Sequence, residues 1–101
     1  MSIPRGATPT LQMDMGDIDF TLADYIYVTF ETKNGKLTKT NEDLYIEQHV
    51  LGVYLTQAET LAMLGDYVKL QVNLVYADGS RIPSDIERIR LEDNLERRVL
   101  P

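Results

Sequence analysis

Cysteine and tryptophan are both missing from this sequence. The first absence excludes a disulfide framework and a thiolate metal site, and is compatible with a reducing compartment. The two together exclude the Cys–Trp–Cys pattern of antibody domains. No apolar run approaches the roughly 20 residues of a membrane helix. The stretch Met1–Thr10 lacks the apolar segment of a secretory signal. Histidine occurs once, and ten basic residues face sixteen acidic ones, a net charge of −6. Such a diffuse negative surface argues against a nucleic-acid backbone as partner. The one basic cluster, Arg88, Arg90, Arg97 and Arg98, is interleaved with Glu87, Glu92, Asp93 and Glu96.

What the sequence does have is period-2 alternation. The 101 residues suit one domain. Residues 1–7, with Pro4 and Gly6, read as an extended lead-in, and 94–101 as a tail. In Tyr67–Tyr76, Val68, Leu70, Val72 and Leu74 alternate with polar residues, as in a strand with one face buried. Asp78-Gly79 then predicts a hairpin turn. In Tyr25–Thr32, Ile26, Val28 and Phe30 share one face, while Tyr25, Tyr27 and Thr29 share the other. Asn34-Gly35 predicts a second hairpin, with Leu37–Thr40 as its return strand. Shorter strands are expected at Leu11–Met15, Leu44–His49 and Leu51–Leu55, with Phe20 or Leu22 anchoring the connector after the first. One face on a core and one on water is the habit of an antiparallel sheet.

A single helix is expected at Gln57–Leu64. Thr56 and Glu59 have the T-x-x-E spacing of a capping box, Ala58, Leu61 and Ala62 form a short apolar face, and Gly65 suits the left-handed position after the end. Two turns are marginal alone, so the helix must dock on something larger. The last strand region, Ser80–Asp93, contains Pro83, which points to an edge or a bulge. Ile86 is out of phase with Ile89 and Leu91, and a bulge near Ser84–Asp85 restores the register. The total is about seven strands with turn signals every eight to twelve residues. The fold class is all-β: an immunoglobulin-like antiparallel sandwich with one short helix, a small barrel being the alternative. The predicted core is Leu11, Met13, Ile26, Val28, Phe30, Val53, Leu55, Leu61, Val68, Leu70, Val72, Leu74 and Ile89.

No motif assembles a catalytic, cofactor or metal site. Asp14, Asp17 and Asp19 could offer oxygens to a hard cation, but the spacing is not that of an EF-hand, and a solvated turn accounts for them. His49 has no partner that would make it a base or a ligand. Ser2, Ser80 and Ser84 have no evident base, and Glu87, Glu92 and Glu96 read as a solvated face paired with Arg88, Arg90 and Arg97. The candidate interaction surface is Tyr25, Tyr27, Tyr45 and Tyr54, because aromatic residues on an outward sheet face mark contacts, although they also simply favour strands.

Three stretches carry a likeness. Arg5-Gly6-Ala7-Thr8-Pro9-Thr10 resembles the R-G-x-T-P-T start of small tailed-phage and prophage proteins. Leu55–Leu61 is similar to the "LT-x-E-E-T" helix of the N-terminal domain of phage upper baseplate proteins. Val68–Tyr76 with Asp78-Gly79 is similar to that domain's penultimate strand and turn. The resemblance implies an immunoglobulin-like virion module without enzyme activity or cofactor, baseplate- or tail-associated. It further implies other phage structural proteins as partners and assembly into a virion in the bacterial host cytoplasm. The open edges of a sandwich predict homo-oligomerisation or docking, with Leu11–Met15 as the partner-seeking strand, while the charge and the lack of a long apolar run predict no nucleic-acid or membrane role. A carbohydrate- or receptor-binding β-sandwich module, with the outward tyrosines as platform, is the alternative.

Overall fold

The computed structural model describes residues 2–95. Nine strands and one helix follow one another: β1 (Ser2–Pro4), β2 (Thr10–Asp14), β3 (Tyr25–Thr32), β4 (Gly35–Lys39), β5 (Leu44–Ile46), β6 (Val50–Tyr54), α1 (Gln57–Ala62), β7 (Tyr67–Val75), β8 (Arg81–Pro83) and β9 (Glu87–Glu92). The larger sheet runs β1-β9-β7-β3-β4, with β8 also pairing β7; the smaller runs β2-β6-β5. The fold is all-β, as the alternation predicts. It is not wholly antiparallel, because β1 pairs with β9 in parallel.

The inward residues meet in register. Ile26, Val28 and Phe30 of β3 lie opposite Leu74, Val72 and Leu70 of β7. Leu11 and Met13 of β2 lie opposite Val53 and Leu51 of β6. These inner faces share one core, in which Val28, Leu51, Val53, Leu55 and Val68 are fully buried. A fully buried aliphatic side chain of this kind contributes about 1.5–3 kcal/mol. Of the two anchors considered for the connector, Phe20 is buried and Leu22 is exposed. Two predicted core residues, Met13 and Leu61, are only half-buried. Ile3, Phe20, Leu51, Met63 and Leu91 join the core instead.

The predicted bulge is present. Asn73 pairs with Pro83 and Leu70 with Glu87, so Gln71 and Val72 oppose three residues, Ser84, Asp85 and Ile86. Ser84 patches the interrupted ladder: its Oγ accepts from Val72 N–H at 2.9 Å and its N–H donates to Val72 O at 2.7 Å. Ile86, out of phase, is exposed. The bulge splits the expected last strand into β8 and β9, and with β1 this raises the count from seven to nine. Gly52 sits inside β6 opposite Tyr45. A Cβ there would come within 3.2 Å of the Tyr45 Cβ, so the glycine makes room for a cross-strand ring. Strand β5 is shorter than Leu44–His49 because the chain turns at once: Glu47 N–H bonds Val50 O at 2.9 Å across a Gln48–His49 loop.

The helix is shorter than Gln57–Leu64. The Thr56–Glu59 capping box forms, but Met63 is already extended and its side chain turns into the core. Gly65 has a positive φ of +103°, but it lies two residues beyond the cap residue Met63 rather than directly after the helix end at Ala62. The predicted apolar face is not the buried one: Ala58 and Ala62 are exposed, while Thr60 is fully buried. Two polar ties dock α1 on the β3–β4 hairpin. Lys39 Nζ lies 2.7 Å from the Glu59 carboxylate, and Asn34 Nδ2 donates to Ala62 O.

The N-terminal stretch is more than an extended lead-in: Ser2–Pro4 is a sheet strand. Ile3 is fully buried, and Arg5 N–H continues the pairing by donating to Glu92 O at 2.9 Å. The Arg5 guanidinium donates to Gly65 O at 2.8 Å and pairs with Asp93 at 3.2 Å; its Nε is buried without a partner. Gly6 N–H donates to Thr60 Oγ1 at 3.0 Å, and that hydroxyl donates to Ala7 O at 2.8 Å. Gly6 has a φ of +81°, and a Cβ on it would lie 3.0 Å from Asn94 Nδ2. Asn94, the first residue of the expected tail, donates to Arg5 O. Residues 2–5 therefore brace their own domain. Leu95 is exposed, and the remainder of the tail, with Glu96, Arg97 and Arg98, lies outside the described residues.

Candidate interaction surfaces

The four tyrosines do not form one surface. Tyr25 and Tyr27 stand on the outer face of the larger sheet, their ring centroids 6.4 Å apart and nearly parallel. Tyr45 and Tyr54 stand on the outer face of the smaller sheet, on strands β5 and β6. Since the inner faces of the two sheets share the core, these pairs point to opposite sides of the molecule. Tyr25, Tyr45 and Tyr54 are each more than half exposed. Beside Tyr27 lies a shallow hollow of about 430 Å3, lined by Thr29, Thr38, Asn73, Val75 and Arg81. Its polar groups are oriented: Arg81 Nε donates to Asn73 Oδ1 at 3.2 Å. The Tyr45 hydroxyl is committed to the Glu47 carboxylate, and that bond, with the carboxylate's charge, pushes its pKa up.

The acidic stretch behaves as a turn. Asp19 caps the short helical turn Phe20–Leu22, accepting from Thr21 N–H at 3.0 Å and from its hydroxyl. The Thr21 hydroxyl is the main reason its carboxyl sits below the ordinary value. Among the described residues no group of three His, Asp or Glu side chains is placed to hold a metal ion. His49 Nδ1 lies 2.8 Å from Ile18 O, and His49 O accepts from Met15 N–H. This ties the β5–β6 hairpin to the loop after β2. The serines are occupied elsewhere: Ser2 with Glu92, Ser80 with Asp78, and Ser84 in the bulge. Glu92 thus takes Ser2, and among the described residues the salt bridges join Arg5 to Asp93, Lys36 to Glu31 and Lys39 to Glu59.

Two further concavities were not foreseen from the sequence. The first, about 350 Å3, lies between α1 and the β3–β4 hairpin, over Phe30, Leu37, Ala58, Ala62 and Met63. The second is a slot of about 320 Å3 beside the outer edge of β2. Gln12–Met15 form one lip, Ser84, Asp85 and Glu87 the other, and Leu70 and Val72 the floor. No sequence signal for the slot exists beyond the predicted bulge, which sets its second lip.

Comparison with known proteins finds no match: no protein-family model, no curated protein and no solved structure matches the chain.

Proposed function

We propose that this chain is a non-enzymatic, immunoglobulin-like interaction module of a phage or prophage particle, associated with the tail or baseplate. The strand order supports the immunoglobulin-like part. A sheet β9-β7-β3-β4 facing a sheet β2-β6-β5 corresponds to G-F-C-C′ facing B-E-D of the variable-type sandwich. On that correspondence β1 is a first strand that has crossed to the last one, and α1 lies in the E–F connection. The phage part rests on the sequence resemblance. The observation that carries it is the contact between two of the resembling stretches: Gly6-Ala7 of the R-G-x-T-P-T start and Thr60 of the L-T-x-x-E-T helix share one hydroxyl. A pattern that reads as two motifs in sequence is one structural lock in space.

The activity of such a module is assembly. It works through β2, the exposed outer edge of the smaller sheet, whose backbone groups can template pairing. Co-expression with the proteins encoded beside it, followed by size-exclusion chromatography with light scattering, tests the reading. A complex of fixed stoichiometry, or a homo-oligomer, is expected. A chain that stays monomeric alone and with each neighbour at high concentration would remove the reading.

One observation favours a second reading, a carbohydrate- or receptor-binding module. The stacked pair Tyr25–Tyr27 adjoins a polar hollow in which Asn73 and Arg81 are already oriented. On this reading glycan binding depends on Tyr27 and Asn73, and the Tyr27→Ala chain loses it while keeping its assembly behaviour.

A further inference from the structure

The smaller sheet ends at β2, whose outer edge pairs with no strand among the described residues, and the slot beside it is acidic. In an antiparallel ladder alternate residues bond the same neighbour. Met15 N–H donates to His49 O at 2.9 Å and Leu55 N–H to Pro9 O at 3.1 Å, so the odd-numbered residues of β2 face β6. The N–H and C=O groups of Thr10, Gln12 and Asp14 therefore point away from it. Met13 and Met15 face inward by the same alternation, yet both are only half-buried, whereas Leu11 is 5% exposed. The core is thus left open along Gln12–Met15. The slot also has a sign: Asp14, Asp85 and Glu87 stand on its lips, and no Lys or Arg lines it.

The geometry points to a docking site for an extended segment of another protein, in which aliphatic residues alternate with Lys or Arg. The inference rests on the reading of the chain as an interaction module and names the partner's chemistry. The backbone of the segment bonds Thr10, Gln12 and Asp14, adding a strand next to β2. Its aliphatic side chains point inward, cover Met13 and Met15 and fill the space above Leu70 and Val72. Its cations alternate onto the outer face, against Asp14, while Asp85 and Glu87 across the slot add to the negative field that draws them. An acidic segment would meet three carboxylates with no compensating cation, so the slot discriminates by charge as well as by shape.

The probe is a synthetic hexapeptide, acetyl-Lys-Val-Arg-Val-Lys-Val-amide, titrated into the full chain and followed by amide chemical shifts. Shifts centred on Thr10, Gln12, Asp14 and Ser84–Glu87 are expected. The Asp14→Asn variant should weaken binding about threefold, the worth of one exposed ion pair. A peptide N-methylated on alternate residues keeps charge and side chains but cannot pair, and should not bind. The inference is overturned if the peptide causes no shifts at millimolar concentration, if a Glu-Val-Glu-Val-Glu-Val peptide binds equally, if N-methylation changes nothing, or if a second copy of the chain proves to occupy the slot. A chain that fails with the peptide but still forms a complex with a phage protein leaves the interaction reading standing and removes this inference alone.

Discussion

Replacing Thr60 with valine separates two accounts of why a hydroxyl sits in the core. Thr60 is fully buried, and valine has nearly its shape. If the position only needs filling, valine should match threonine or exceed it. The structure argues otherwise. The Thr60 hydroxyl accepts from Gly6 N–H at 3.0 Å and donates to Ala7 O at 2.8 Å. Valine strands both groups, and each buried, unmatched polar group costs about 1–3 kcal/mol. Gly6 and Ala7 are half-buried and recover some water, so the lower figure applies to each and the sum is about 2 kcal/mol. For a domain of this size that lowers Tm by about 10 °C. Thr60→Ser is the control: it keeps both bonds and gives up one methyl group, about 1 kcal/mol. Thermal and urea unfolding followed by circular dichroism should rank threonine above serine above valine. A valine variant as stable as the serine one would refute the polar lock between the N-terminal segment and α1.

Three further outcomes follow from the same structure. Gly6→Ala should cost about 1–2 kcal/mol, since alanine is strained at a φ of +81° and its Cβ crowds Asn94; equal stability in urea unfolding would contradict the geometry. Ile3→Ala should cost about 2–4 kcal/mol by opening the core under β1, whereas a loose lead-in would lose nothing in the same assay. Burial pushes the Glu59 carboxyl up, but the hydrogen bonds from Lys39 and Thr56 together outweigh it and hold the carboxyl below its ordinary 4.5. Its contribution to stability is therefore fully present above that value and is lost as pH falls through the lower folded one. Unfolding measured across the acid range should show a weaker pH dependence in Glu59→Gln, and an unchanged slope would remove this role.

The strands of the two hairpins were legible because their inward residues alternate without a break, and because Asn34-Gly35 and Asp78-Gly79 punctuate them. The bulge was legible too, since a single residue out of phase, Ile86, betrays it. What escaped the sequence depends on partners distant in the chain. Ser2–Pro4 is too short to show a period, and Pro4 and Gly6 argue for a loop; only β9, some ninety residues on, makes it a strand. Thr60 and Lys39 are buried because Gly6-Ala7 and Glu59 satisfy them, and polarity alone reads them as exposed. Met13 has the parity of a core residue, but burial also needs a neighbour beyond the β2 edge. The tyrosines point outward as their alternation predicts. That they form two pairs on opposite sides follows from the sheet to which each strand belongs, and local sequence does not carry that information.

The central claim is that the β2 edge is open in the free chain and closed in the assembled one. Residue-resolved amide hydrogen exchange tests it directly. In the free chain Leu11, Met13 and Met15, bonded to β6, should be protected, while Thr10, Gln12 and Asp14 exchange quickly. In the complex with a partner protein all six should be protected. Thr10, Gln12 and Asp14 already protected in a free monomer, or still unprotected in the complex, would contradict the account.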